Sequence, residues 1–306
     1  MKSHLASLFS LLVLLLLAPA VQSQEPEPAA ETTRPNDSRL GELKDYDGYV
    51  PFTVPETREA WEKRAERVRR QVLVSQGIWP LPERTPLEAV VHGRREMDGY
   101  TIEKAFFQAM PGFFVTGSLY RPAGPIEGKR PGILCPHGHW NEGRFHDAGE
   151  GGVKKSIEDG AEQFEVGGRS PLQARCVQLA RMGCVVFHYD MIGYADSKQL
   201  SFEHVHRFAK QRPEASTTEN WGFFSAPAES RLQNVMGLQT WSSIRALDFL
   251  ESLPDVDPAR LACTGASGVG TQTFMLAAID PRLAAAFPAV MVSTAMQGGC
   301  TCENAS

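Results

Sequence analysis

The chain has 306 residues, of which 42% are hydrophobic and 22% are charged, and its formal net charge is −5 at pH 7. A chain of this length can bury a sizeable core, as one large domain or as a domain with a small accessory region. The mild negative charge gives no reason to expect nucleic acid or an anionic lipid surface as a partner.

The first 23 residues have the composition of a secretory signal peptide. Lys2 supplies a short basic start, residues 5–17 are apolar, and the small-residue stretch APAVQSQ follows. The 13 residues of this largely apolar stretch are fewer than the roughly 20 needed to span a bilayer. We therefore predict a signal peptide over 1–23 and an exported protein, either periplasmic or extracellular.

Two segments separate the signal peptide from the main domain. Residues 24–44 are polar and Pro-rich, which predicts a disordered linker. Residues 45–89 are predicted to be an N-terminal helical accessory region. Thr53 and Glu56 have capping-box spacing there, which favours an amphipathic helix ending near Gly77. The apolar residues at helical spacing are Trp61, Ala65, Val68 and Val72.

Residues 90–306 alternate between strand and helix patterns. Turn signals at 98–99 and 111–112 separate antiparallel strands between Val90 and Arg121. This alternation predicts an α/β fold whose sheet is mostly parallel, with antiparallel N-terminal strands and helices on both faces. The later predicted strands are 132–136, 184–190, 261–264 and 284–292, and the predicted helices are 171–183, 228–253 and 268–279.

The six cysteines fall into two groups. Cys300 and Cys302, in GGCTCEN, form a Gly-flanked pair in a predicted loop and could bind a metal or bridge to another cysteine. Two thiols alone are a weak metal signal, so we predict no metal and no cofactor. The others have apolar surroundings typical of small core side chains: Cys135, Cys176, Cys184 and Cys263.

The stretch TGASGVGTQTF has the pattern of a serine nucleophile between a strand and a helix. Ser267 follows a buried strand, and Gly265 allows the tight turn that exposes the hydroxyl at the sheet edge. The common G-x-S-x-G pattern has a glycine two residues after the serine, where this chain has Val269. Glycines stand at Gly268 and Gly270 instead. We expect crowding at Val269.

The stretch CPHGHWNEG follows an earlier buried strand, at the place where such folds provide an oxyanion donor. We predict that the backbone N–H groups of His139 and Gly268 converge on the developing alkoxide. One such donor changes turnover by about 10² to 10³.

These motifs, with GFFVTGSLYRP, FHYDMIGYADS and GGCTCEN, make the chain from about Gly112 onward similar to the α/β-hydrolase superfamily. Within it the chain resembles the acetyl xylan esterase-like group of secreted bacterial proteins. The resemblance implies Ser267 as nucleophile, His139 and Gly268 as oxyanion donors, and ester hydrolysis without a cofactor. It further implies a small-molecule or polysaccharide ester as substrate and a structural role for Asp190.

A catalytic triad in this fold follows the chain order Ser, Asp or Glu, then His. All eight histidines precede Ser267, and the last is His206. Glu303 is the only carboxylate after Asp280. We therefore expect a hydrolase domain incomplete after about the sixth strand, lacking its C-terminal part. On this expectation residues 24–306 alone are inactive and poorly soluble.

Several alternatives remain open at this point. A prolyl oligopeptidase-like peptidase shares these motifs, and a non-catalytic carbohydrate-binding or scaffold protein could keep the serine turn as architecture. A metallohydrolase is suggested weakly by HGHWNEGRFHD. Its candidate ligands are His137, His139, His146 and Asp147.

An upstream histidine could also act as the base. His188 is expected to point into the sheet as a core residue, whereas His204 and His206 are expected in a loop that contacts substrate or solvent. The oligomeric state is left open by the sequence.

Overall fold

The computed structural model describes residues 52–125, 128–140, 142–206, 230–290 and 300–303. The chain divides into two compact units, Met1–Phe52 and Thr53–Ser306, and the architecture described below belongs to the second. The predicted signal peptide and linker lie outside the described residues. Among the described residues, no helix combines the length and the apolar character needed to cross a bilayer.

A single mixed sheet organises the second unit, with the strand order β1-β2-β3-β5-β4-β6-β7. Strands β1, β2 and β3 pair antiparallel, and β3 pairs antiparallel with β5. Strands β5, β4, β6 and β7 are parallel to one another. The strands are β1 (Val90–Met97), β2 (Tyr100–Met110), β3 (Phe113–Pro122), β4 (Arg130–Leu134), β5 (Val185–Tyr189), β6 (Val256–Ala266) and β7 (Leu283–Ala289).

The helices that accompany this sheet vary from four to eighteen residues in length. They are α1 (Arg58–Ser75), α2 (Gly149–Glu158), α3 (Glu165–Arg169), α4 (Pro171–Arg181), α5 (Phe202–Val205), α6 (Val235–Ser252) and α7 (Gly268–Ile279). The alternation of strands and helices after β3 confirms the α/β class predicted from the sequence.

The register of the parallel strands brings the segments that follow them to one edge of the sheet. Leu134 pairs with Phe187 on one side and with Cys263 on the other, and Ala266 pairs with Ala289. Because the strands run in the same direction, the loops after β4, β5 and β6 emerge side by side. This is the edge at which open α/β sheets hold their ligands.

Aromatic packing between the sheet and α6 forms the centre of the core. The ring of Phe249 on α6 lies 5.0 Å from that of Phe107 and 4.8 Å from that of Phe187. The indole N–H of Trp241 donates a hydrogen bond of 2.9 Å to the carbonyl of Ala109. Helix α6 is therefore fixed to the sheet by both apolar contact and a buried polar bond.

The helix predicted in the accessory region is present, but its cap and its buried face differ from the prediction. Thr57, not Thr53, is the N-cap, and its hydroxyl accepts a hydrogen bond from the Ala60 N–H at 3.1 Å. Trp61 is 52% exposed and Val68 is 37% exposed. Leu73 near the C-terminal end is buried, because α1 reaches the core through its last turns.

Other elements also begin or end at residues different from those predicted. The helix predicted from 228 begins at Val235, where the Asn234 side chain caps it by accepting from the Gly237 N–H at 2.7 Å. The strand predicted over 261–264 extends from Val256 to Ala266. Helices α2 and α3 were missed, since both contain paired glycines that weaken a helical pattern.

The cysteines expected in the core are buried, with one exception. Cys135, Cys176 and Cys263 are buried, whereas Cys184 lies just before β5 and is only half-buried. The predicted last strand is observed up to Ala289, and its remaining residues at 291 and 292 lie outside the described part of the chain.

Candidate active site

Ser267 occupies the junction between β6 and α7, with a strained backbone. Its φ is 62° and its ψ is −137°, a conformation that costs a non-glycine residue about 1–3 kcal/mol. The Ser267 N–H donates to the Ala289 carbonyl at 3.1 Å, and the Gly270 N–H donates to the Ser267 carbonyl at 2.6 Å. The strand edge and the first helical turn therefore hold the serine in place.

Close backbone approaches explain the glycines around this serine. A Cβ on Gly265 would lie 3.0 Å from the Val269 carbonyl oxygen and 3.1 Å from the Thr273 hydroxyl. A Cβ on Gly268 would overlap the Glu303 carboxylate, and one on Gly270 would overlap the Val290 carbonyl. The three glycines stand where the turn leaves no space for a side chain.

Val269 packs into the core beside the turn. Its side chain is fully buried and belongs to the main hydrophobic core. The close backbone approach to the end of β7 is made by Gly270, one position further along α7. A branched side chain is tolerated two residues after the serine because it points into the core.

The loop after β4 packs directly against this turn. A Cβ on Gly138 would lie 3.0 Å from the Ala266 carbonyl oxygen, which immediately precedes the serine. The His139 ring lies close to Gly268, since a Cβ there would be 2.7 Å from its Cε1 atom. The two residues predicted as oxyanion donors are thus neighbours at the start of α7.

His137 supports this loop as a neutral core residue. Its ring is fully buried, and its Nε2 accepts a hydrogen bond from the Met191 N–H at 3.1 Å. Burial lowers the pKa of His137 to about 3, so the ring stays neutral at pH 7. Its Nδ1 faces the Gly138 carbonyl at 3.0 Å. His137 therefore positions the loop and does not act as a base.

Asp190, at the end of β5, is enclosed by partners. The Arg144 guanidinium forms an ion pair with its carboxylate, and the Thr116 hydroxyl donates to the same oxygen at 2.6 Å. Burial raises the pKa of Asp190, against the opposing effect of Arg144. The Asp196 N–H also donates to it, at 3.2 Å. This arrangement supports the structural role that the resemblance implied.

The residues of the suggested metallohydrolase set are not brought together. His137 bonds to the backbone, Asp147 pairs with Arg169, and the ring of His146 lies 6.5 Å from that of Trp140. His188 is buried as expected. Neither of its ring nitrogens has a hydrogen-bond partner among the described residues.

A different group of potential ligands lies beside the serine turn. His206, which we expected to contact substrate or solvent, is buried, and its Nδ1 lies 3.2 Å from the Cys300 sulfur. The Nε2 atom of His139 lies 3.0 Å from the Cys302 sulfur. The four ligand atoms all lie within 4.8 Å of one another. We call these four residues the thiol–imidazole cluster.

Contacts within the cluster shift the pKa values of its two thiols in opposite directions. Hydrogen bonding with Cys302, and with His139 and His206, holds the pKa of Cys300 well below its usual range. The bond to Cys300 and burial raise the pKa of Cys302. The Glu303 carboxylate lies 3.5 Å from Nδ1 of His139.

Sequence reasoning noticed the cysteine pair but missed its partners. His206 and Cys300 are 94 residues apart, and Cys302 is 163 residues from His139. No local spacing links positions so distant. The only available signal was that each lies in a segment following a predicted strand of the parallel half.

No protein-family model matches the chain, and no curated protein matches it either. Among solved structures, methylesterase BT1017 is 27% identical and covers 81% of this chain and 46% of its own, with a TM-score of 0.57. A Bacteroides fragilis protein assigned as an acetyl xylan esterase is 14% identical and covers 74% of this chain and 52% of its own, with a TM-score of 0.50. The chain has the α/β-hydrolase fold.

The chain spans about half the length of methylesterase BT1017 and of the Bacteroides fragilis protein. In the α/β-hydrolase fold, the nucleophile occupies a strained turn between a strand and a helix.

Proposed function

We propose that the protein is a serine ester hydrolase that acts on a carbohydrate ester, with Ser267 as nucleophile. The observation that carries this proposal is the positive φ of Ser267 at the junction of β6 and α7. Strain of this kind persists where the surrounding structure fixes it, and it occurs often at active sites. The strained turn aims the hydroxyl away from the sheet.

The oxyanion hole of this proposal consists of the backbone N–H groups of His139 and Gly268. The contact between the His139 ring and Gly268 supports the assignment, because it brings the loop after β4 beside the start of α7. The hydroxyl attacks the ester carbonyl, the alcohol leaves, and water then releases the acid from the acyl-serine. The similarity to methylesterase BT1017 supports an ester as the substrate.

We do not assign the general base to any of the described histidines near this edge of the sheet. His137 accepts a backbone hydrogen bond, and His188 lies inside the sheet layer. His139 and His206 face the two thiols. We therefore propose that residues 24–306 alone hydrolyse esters feebly. We also propose that the protein is exported.

The experiment that tests the nucleophile compares Ser267→Ala with Ser252→Ala, a serine exposed at the end of α6. Each variant is made in the protein as its complete gene encodes it. A fluorophosphonate should label the unchanged protein and Ser252→Ala at Ser267 but leave Ser267→Ala unlabelled. Hydrolysis of 4-nitrophenyl acetate should fall by about 10⁶ in Ser267→Ala, as on loss of the nucleophile in a serine protease.

Two results would contradict the proposal. Unchanged ester hydrolysis by Ser267→Ala would exclude the serine mechanism. A folded protein that neither reacts with the fluorophosphonate nor hydrolyses any acetyl or methyl ester of a sugar would instead favour a non-catalytic role for the serine turn.

A further inference from the structure

The thiol–imidazole cluster joins three segments that are far apart in the chain. His139 belongs to the loop after β4, His206 follows α5, and the two cysteines lie beyond β7. His206 and both cysteines are buried. The His139 side chain is 30% exposed. Two buried thiols and a buried imidazole gathered beside it need an explanation, because buried polar groups cost free energy unless they are satisfied.

The hydrogen bonds of His206 determine which of its nitrogens is available. Its Nε2 lies 2.7 Å from the Ile192 carbonyl, which can only accept a hydrogen bond. Nε2 therefore carries the proton of the neutral ring, and Nδ1, which faces Cys300, offers a lone pair. A backbone carbonyl that fixes the tautomer in this way is a common feature of histidines that bind metals.

His139 has the corresponding arrangement with a carboxylate. Its Nδ1 faces the Glu303 carboxylate at 3.5 Å, while its Nε2 faces the Cys302 sulfur at 3.0 Å. A carboxylate behind a histidine orients the ring and strengthens its other nitrogen as a ligand. Both imidazoles thus present a lone pair toward a thiol.

The ligand atoms of the cluster, all within 4.8 Å of one another, are close enough to move onto a four-coordinate metal. Zinc bound by two sulfurs and two nitrogens has ligand atoms separated by roughly 3.3–3.8 Å, given its usual bond lengths and a tetrahedral angle. The two imidazole–thiol distances of 3.0 and 3.2 Å lie a few tenths of an ångström below this range. Thiolate and imidazole ligands favour zinc over magnesium or calcium.

We propose that the thiol–imidazole cluster binds one zinc ion. All four coordination positions are filled by protein, so the ion is structural and leaves no position for a substrate or a reactive water. It holds the segment containing Cys300 and Cys302 against the loop that bears His139. The ion would hold the side chain of His139, whose backbone N–H is a proposed oxyanion donor. Any effect of the ion on ester hydrolysis therefore rests on the proposed function.

The test measures zinc directly in purified protein. The protein is prepared in a phosphine reductant without chelators, and its zinc content is determined by plasma mass spectrometry. The unchanged protein should hold close to one zinc per chain. Cys302→Ser should lose most of it, whereas Cys184→Ser, which removes a half-buried thiol outside the cluster, should retain it.

Cobalt substitution tests the site in the unchanged protein, so the result does not depend on whether a variant folds. Replacing zinc with Co²⁺ in the unchanged protein should give the intense visible bands of tetrahedral cobalt and a sulfur-to-cobalt charge-transfer band. A chelator should remove these bands and lower the thermal unfolding midpoint, because a metal bound only by the folded state stabilises it.

Three results would overturn the zinc site. They are a Cys300–Cys302 disulfide in the purified protein, reduced and folded protein that binds neither zinc nor cobalt, and equal zinc content in Cys302→Ser and Cys184→Ser. Ser267→Ala should lose fluorophosphonate labelling and keep its zinc. Failure of the zinc site and failure of the serine mechanism are therefore distinguishable.

Discussion

The ends of β5 and β6 lie at the same edge of the sheet but hold their polar groups in opposite ways. At the end of β5, Asp190 is buried and paired with Arg144. At the end of β6, Ser267 is half-buried, has a positive φ and makes no side-chain cap to its helix. A charge at this edge is thus held as part of the structure, while backbone strain marks the residue that we propose as the nucleophile.

The largest expected effect is a loss of stability when the buried charge pair at the end of β5 is broken. Arg144→Met should lower the free energy of unfolding by about 3–5 kcal/mol, because it leaves the Asp190 carboxylate buried without a counter-charge. Adding Asp190→Asn should recover part of this loss, since no uncompensated charge then remains. Urea unfolding followed by tryptophan fluorescence measures both changes.

The matched control for this change is Arg169→Met. Arg169 pairs with Asp147 at the surface, where half of each side chain is exposed, so its removal should have little effect. Equal destabilisation by Arg144→Met and Arg169→Met would contradict the assignment of Asp190 as a buried structural charge.

A smaller effect is expected at the β6 end, from Gly270→Ala. The added methyl group would overlap the Val290 carbonyl and should cost about 1–3 kcal/mol through overpacking. It should also shift the serine turn and lower fluorophosphonate labelling of Ser267. Labelling rates and urea unfolding measure the two effects.

Gly151→Ala is the control, because Gly151 lies within α2 with open space around its Cα. There the methyl group should stabilise the protein by about 1 kcal/mol through helix propensity. Stabilisation by both Gly270→Ala and Gly151→Ala would show that Gly270 does not lie in close contact with the Val290 carbonyl.

The smallest expected effect is a pH dependence arising beside the β5 end. Burial lowers the pKa of His188 well below its ordinary value of 6.5, and the positive charges facing it act in the same direction. The folded state therefore resists protonation while the unfolded state accepts it. Stability should be complete above about pH 6.5 and decline below it, by up to about 1.4 kcal/mol per pH unit. The groups that face His188 are His137, Arg144 and Arg175.

Urea unfolding at pH 7.5, 6.5 and 5.5 measures this dependence. His188→Gln should make the decline less steep, because an amide does not titrate in this range, and the remaining slope should come from His137, whose pKa burial also lowers. Parallel pH profiles for the unchanged protein and the variant would show that His188 is not the group responsible.

The regular parts of the fold were predictable because local patterns determine them. The helix predicted over 268–279 has the bounds of α7, and the antiparallel strands followed their turn signals. The cap of α1 was misplaced by four residues, since Thr53 and Thr57 both fit a capping position and only the tertiary contacts of the helix distinguish them.

The candidate site was predictable only where its residues are close in sequence. Ser267, Gly265 and Gly268 were found from one short motif. The burial of His206 and its approach to Cys300 depend on how two distant loops fold against each other. Spacing along the chain contains no such information, so the thiol–imidazole cluster could not be found from the sequence.

Strand β7 is the outer strand of the described sheet, and it also carries the carbonyl that accepts a hydrogen bond from Ser267, the proposed nucleophile. Phe287 on this strand is 71% exposed, and the Ser267 N–H is bonded to Ala289. Outer strands open more often than central ones, at a lower free energy. Hydrogen exchange at the Ser267 amide therefore reports the opening of β7. Any chain that pairs with β7 should slow that exchange and hold the serine in its reactive conformation for a larger fraction of the time.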